Sequence, residues 1–79
     1  MKKDFIIHEY FKKVLDDMTI LVQIDTKQLK GTEIIIYPSG EKEITAREFD
    51  EDIMDDLAHD GFEKGSPLEF NLYLQGLVE

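Results

Sequence analysis

The sequence predicts a single α+β domain over residues 1–79. Its expected form is a two-layer sandwich, with two amphipathic helices on one face of a small, mainly antiparallel four-stranded sheet, in the order α-β-β-β-α-β. Three observations predict it. Residues 5–18, FIIHEYFKKVLDDM, place apolar side chains at helical spacing. Residues 19–45 change to β-branched runs separated by turn residues. Residues 45–62, TAREFDEDIMDDLAHDGF, return to a helical period with a start and a stop signal. Elements that are apolar on one side bury that side against one another, which gives the two layers.

In the first segment Ile7, Tyr10, Phe11, Val14, Leu15 and Met18 form one stripe at about 100° per residue, with Glu9, Lys12, Lys13, Asp16 and Asp17 opposite. Asp4 is the expected N-cap. TILVQID (19–25) and TEIIIY (32–37) read as strands, and Pro38-Ser39-Gly40 is a turn that leads into a short strand, EKEIT (41–45). Thr45-Ala46-Arg47-Glu48 fits a capping box, so a helix is expected from about 46 to 60. Ala46, Phe49, Ile53 and Leu57 form its apolar stripe, with Met54 at the edge. Gly61 and Phe62 fit the C′ and C″ positions of a Schellman ending, with Phe62 against Leu57. After Ser66-Pro67, LEFNLYLQG (68–76) alternates and reads as the last strand.

Composition narrows the function more by exclusion than by assertion. A 79-residue chain buries only about 60–65% of its unfolded surface, so the core must be used well. It has no cysteine, which removes disulfides and thiolate metal sites and points to a reduced, cytoplasmic protein. The longest apolar runs are far shorter than the roughly 20 residues of a membrane span. Of the net charge of −9, residues 41–63 contribute −8, from ten acids against Lys42 and Arg47. That sign opposes direct binding of nucleic-acid phosphates or of an anionic membrane.

No catalytic constellation stands out, and the chain is not expected to be an enzyme. Ser39 and Ser66 sit in turn signals, and the sequence contains no Gly-rich phosphate loop. His8-Glu9-Tyr10-Phe11-Lys12 opens like the zinc-protease HExxH pattern, but Lys12 stands where the second histidine ligand is required. DLAHDG (56–61) is not a calcium loop, since Ala58 and Pro67 occupy its third and twelfth positions.

Two surfaces remain. On the second predicted helix, Glu48–Asp52, Glu51–Asp55 and Asp52–Asp56 are like-charge i,i+4 pairs, each mildly unfavourable. A purely structural helix would gain by exchanging one acid for lysine, so the face formed by Glu48, Glu51, Asp52, Asp55 and Asp56 reads either as a plain hydrated face or as a steering surface for a basic protein partner. The alternative is a divalent-metal accessory protein using the row Glu51, Asp55 and His59, with no other cofactor implied. The second surface is the back of the sheet, where Ile35 and Tyr37 are joined by Leu21 and Tyr73 in an apolar–aromatic patch that is either the half-wet back of a sheet or a contact surface for a homodimer or another protein. The sequence therefore reads as a small acidic cytoplasmic protein-interaction or regulatory module.

Overall fold

A computed structural model describes residues 8–76. The proposed N-cap Asp4 and the apolar residue Ile7 lie outside the described residues. The chain begins in strands: β1 (His8–Val14), β2 (Thr19–Asp25), β3 (Lys30–Ile36) and β4 (Lys42–Glu48) form an antiparallel meander. Then follow α1 (Ile53–His59), a two-residue strand β5 (Glu63–Lys64) and α2 (Pro67–Leu74). The sheet has five strands in the order β4-β3-β2-β1-β5, and β5 pairs antiparallel with β1. The expected four-stranded sheet with a leading helix is therefore corrected to a five-stranded one that starts at its own second-to-last position.

Register explains how the sheet is used. Lys12, Leu21, Ile34 and Ile44 pair in one row across β1 to β4, so they share a face with Tyr10 and Ile36 two residues away along their strands. Phe11, Val22, Glu33 and Thr45 pair in the neighbouring row and point the other way. Both faces are apolar. On the first, Leu21 and Ile34 pack with Phe70 of α2, flanked by Tyr10, Ile36 and Tyr73. On the second, Val22 and Ile24 pack with Leu57 of α1, flanked by Phe11, Ile20, Phe49, Ile53 and Phe62. The helices thus lie on opposite faces, one short helix to each, and the protein has three layers where two were expected.

Three segments depart from the sequence expectation. Residues 8–14 are strand because Tyr10 and Phe11, adjacent in sequence, are needed in opposite cores. A helix would have put both against one. Residues 46–48 extend β4 opposite Thr32, Gly31 and Lys30, so the Thr45–Glu48 capping box does not form. As an edge strand it turns the backbone groups of Arg47 and, two residues on, Phe49 toward β3, a non-local pairing that the local capping signal does not register. Residues 67–74 are helix. Ser66 caps it, its Oγ accepting from the Glu69 N–H at 3.2 Å, and Pro67 fills the first position, where no N–H is required. Ser66-Pro67-x-Glu69 is itself a helix-start signal, and it outweighs the alternation that follows. The expected strands at 19–25, 32–37 and 41–45 are present, the last two with shifted ends.

Side chains tie α2 down. Lys12 Nζ donates to both carboxylate oxygens of Glu69, at 2.9 and 3.2 Å, and Lys42 Nζ donates to the Tyr73 carbonyl. Tyr10 meets Phe70 edge-on with centroids 5.5 Å apart, and its hydroxyl accepts from Gln23 Nε2 at 3.0 Å. The β2–β3 turn is fixed by Asp25, whose carboxylate accepts from the backbone N–H groups of Lys27 and Gln28. Those two donors hold its carboxyl below the usual range. Leu29 closes the turn at φ 58°, a conformation that a β-carbon disfavours.

Two outcomes test this arrangement by urea denaturation. Phe70 is 1% exposed and Leu68 is 69% exposed. Phe70→Ala is expected to cost about 3–5 kcal/mol, as a large core deletion does. Leu68→Ala should stay within about 0.5 kcal/mol, as an exposed substitution does; a strand would have buried both. A Cβ at Gly31 would lie 1.8 Å from the Gln23 carbonyl oxygen and 3.0 Å from the Phe49 ring. Gly31→Ala should therefore cost at least about 3 kcal/mol, because backbone of the neighbouring strand must move.

Candidate functional site

The acidic stretch is shaped by the end of β4 and by α1. After Glu48 the ladder continues one step further, with the Phe49 N–H donating to the Leu29 carbonyl at 2.8 Å. The chain then turns: the Asp50 carboxylate accepts from the Asp52 N–H and its carbonyl from the Ile53 N–H. Asp52 stands at the N-cap without a side-chain capping bond, and Asp55 and Asp56 occupy the first turn, where the macrodipole favours acids. Phe49, Ile53 and Leu57 hold this segment onto Val22 and Ile24. The helix ends as expected. Gly61 has φ 89°, its N–H donates to the Ala58 carbonyl, and the Phe62 N–H donates to Leu57 at 2.9 Å, which is a Schellman ending.

The result is a band. Glu48, Asp50, Glu51, Asp52, Asp55, Asp56, His59 and Asp60 are all exposed. Among the described residues the ion pairs join Lys12 to Glu69, Arg47 to Glu33 and Lys64 to Glu9, and none involves an acid of residues 48–60. Lys13 reaches the far end of the band, but it donates to the Asp60 backbone carbonyl. Apart from Glu48, which by its register shares the α2 side with Lys42 and Ile44, these acids are gathered on the α1 side, and no cation of the described residues pairs with them.

The finer expectation needs correction. A rod from 46 to 60 was expected to stack its acids in rows, but α1 is only seven residues long. Glu48 belongs to β4 and Glu51 to the turn before the helix, so Glu48–Asp52 and Glu51–Asp55 are not helical pairs. Asp52 and Asp56 keep a helical relation, the Asp56 N–H donating to the Asp52 carbonyl at 2.9 Å. For the metal row, only Asp55 and His59 share α1, and Glu51 lies outside it. Among the described residues no group of three or more His, Asp or Glu side chains is placed to hold an ion.

The patch on the back of the sheet is split between two faces. Ile35 and Tyr37 lie on the α1 side, where Ile35 pairs with Ile20 and Glu43. Leu21 and Tyr73 lie on the opposite side, with Leu21 buried beneath Phe70. The reason is twofold: Leu21 stands opposite Ile34 in the ladder, and Tyr73 belongs to a helix. Tyr37 donates its phenol hydrogen to Glu43, and that bond, helped by burial and by the charges of Glu43 and Glu41, raises its pKa above 10.0.

β4 is an outer strand of the described sheet, and its residues 43–48 are all exposed. The signal for it was the alternating charge of KEITARE, hidden by the reading of residues 46–48 as helix.

No protein family, curated protein or solved structure matches this chain. Among the described residues no helix is long and apolar enough to cross a membrane.

The raised Tyr37 pKa gives a direct check. A folded-state pKa above the unfolded one adds stability that is present below the unfolded value and is lost as pH rises through the folded one. Site-resolved NMR titration should therefore find Tyr37 ionising above an ordinary tyrosine. Glu43→Gln should bring it down, because the bond and the carboxylate charge are removed together.

Proposed function

We propose that this protein is a small binding module whose working surface is the acidic band of residues 48–60, and that its partner is a protein with a basic surface. The observation that carries the reading is the concentration of seven exposed acids between Glu48 and Asp60, none paired with a cation of the described residues. Elsewhere Glu9, Glu33 and Glu69 each have a partner. Packing of Phe49, Ile53 and Leu57 beneath the band supports this reading, because the sheet then holds the charges on a fixed curve and not on a loose tail. Such a surface raises the encounter rate with a cationic patch and loses its reach as salt shortens the screening length.

The test is a titration with a lysine-rich peptide at low and high salt. Combined Asp52→Lys, Asp55→Lys and Asp56→Lys should weaken binding at low salt by roughly three-fold to a hundred-fold, from ion pairs worth about 0.2–1 kcal/mol each. A control with the same change in net charge, at Asp16, Asp17 and Glu41, should bind nearly as the parent does. Equal losses in both variants would mean that only overall charge is read, and the proposal would fall.

A further inference from the structure

β4 is the outer strand of the described sheet and pairs with β3 on one side. The Tyr37 N–H donates to the Glu41 carbonyl and the Phe49 N–H to the Leu29 carbonyl. In an antiparallel ladder the bonded pairs recur every second residue, so Glu43, Thr45 and Arg47 turn their N–H and C=O groups toward β3. Lys42, Ile44, Ala46 and Glu48 turn theirs outward, to the open edge. Pairing with β3 is unbroken from Lys42 to Glu48, without a bulge or a proline to blunt that edge.

We propose that two copies of this chain associate through β4 in antiparallel register about a two-fold axis at Thr45, joining two five-stranded sheets into one. The strand reads Lys-Glu-Ile-Thr-Ala-Arg-Glu, and its charges complement their own reversal. With Thr45 opposite the partner's Thr45, Lys42 meets the partner's Glu48 and Glu43 meets the partner's Arg47, each pair occurring twice by symmetry; Lys42 also donates to the Tyr73 carbonyl of its own chain and Arg47 to Glu33, so each cation would serve both contacts through its several N–H groups. Ile44 meets the partner's Ala46. These pairings fall on the residues whose backbone groups point outward, so Ile44 exchanges both hydrogen bonds with the partner's Ala46, and Lys42 does so with the partner's Glu48. Sliding by one step to centre on Ile44 or Ala46 loses the Lys42–Glu48 and Glu43–Arg47 pairs together. The same contact covers Ile44, which is 47% exposed in the single chain. A same-signed edge would repel its copy; this one makes both of its strand charge pairs only in the register centred on Thr45. The surface is isologous, as a two-fold dimer requires. A seven-residue edge is roughly 23 Å long and buries less than a standard interface, so the dimer is concentration-dependent.

Sedimentation equilibrium over a concentration series decides the matter. The parent chain is expected to shift from monomer to dimer as concentration rises. Glu48→Lys sets Lys42 against a lysine and should raise the dimer Kd about ten-fold or more, although it makes each chain less acidic by two charges and so lessens the overall repulsion. Lys42→Glu with Glu48→Lys restores opposite charges in the same register and should recover dimerisation, with Lys42→Met as the control that removes the Lys42–Tyr73 bond alone and should keep the fold by circular dichroism. Ala46→Pro removes an outward N–H that β3 does not use, and should give a folded monomer by circular dichroism. Should that variant fail to fold, the charge pair and its exchange decide alone. A parent chain that stays monomeric throughout, or a dimer that tightens with Glu48→Lys, overturns the proposal. The first result would leave the edge to a strand of some other protein.

Discussion

A sheet that is apolar on both sides must be covered on both sides, and most of this structure follows from that need. In β2, Leu21, Val22 and Ile24 are all buried, although neighbouring residues of a strand point to opposite faces. No single helix can shield them. The chain meets the requirement with two short ones, α1 under Val22 and Ile24 and α2 over Leu21 and Ile34. At roughly 1.5 Å per residue each helix spans only about half the length of a strand. The middle of the sheet is therefore dry, while the ends keep apolar residues such as Val14 and Leu15 exposed.

The same constraint accounts for what could be read in the residues and what could not. The β-branched runs of β2 and β3 and the Gly61-Phe62 ending of α1 were legible, because each depends on local preferences. The first strand was not. Its apolar positions at 10, 11 and 14 suit a helix with one buried stripe as well as a strand whose two sides enter separate cores, and only the presence of two cores separates the cases. The consecutive Ile20-Leu21-Val22 and Ile34-Ile35-Ile36 held that information, since continuous apolar runs mark strands covered on both sides. In the last segment alternation prevailed over Ser66-Pro67-x-Glu69, although the cap and the proline carry a mechanism that alternation lacks. At the site, the sign and location of the charge were plain from composition, whereas the acid rows depended on where α1 starts. That start is set by the pairing of residues 46–48 with β3, a contact no local pattern announces.

Charge is divided sharply where β4 ends. From Lys42 to Glu48 two bases and two acids alternate and cancel, while residues 49–63 carry seven acids and no lysine or arginine. One surface is therefore neutral and carries outward backbone groups, and the next is uniformly negative. They differ in what salt does to them: screening dulls the field of the second most. Two adjoining surfaces of such different physics can be addressed independently, although Glu48 belongs to both.

The order of elements along the chain has a further consequence for synthesis. All four long strands precede α1 and α2, so a growing chain can form its hairpins before either cover has emerged, and the greasy sides of that ribbon must wait. The stretch that leaves the ribosome next is the most negative in the protein and also the first of the two covers, so shielding of one greasy side and charge that keeps copies apart arrive together.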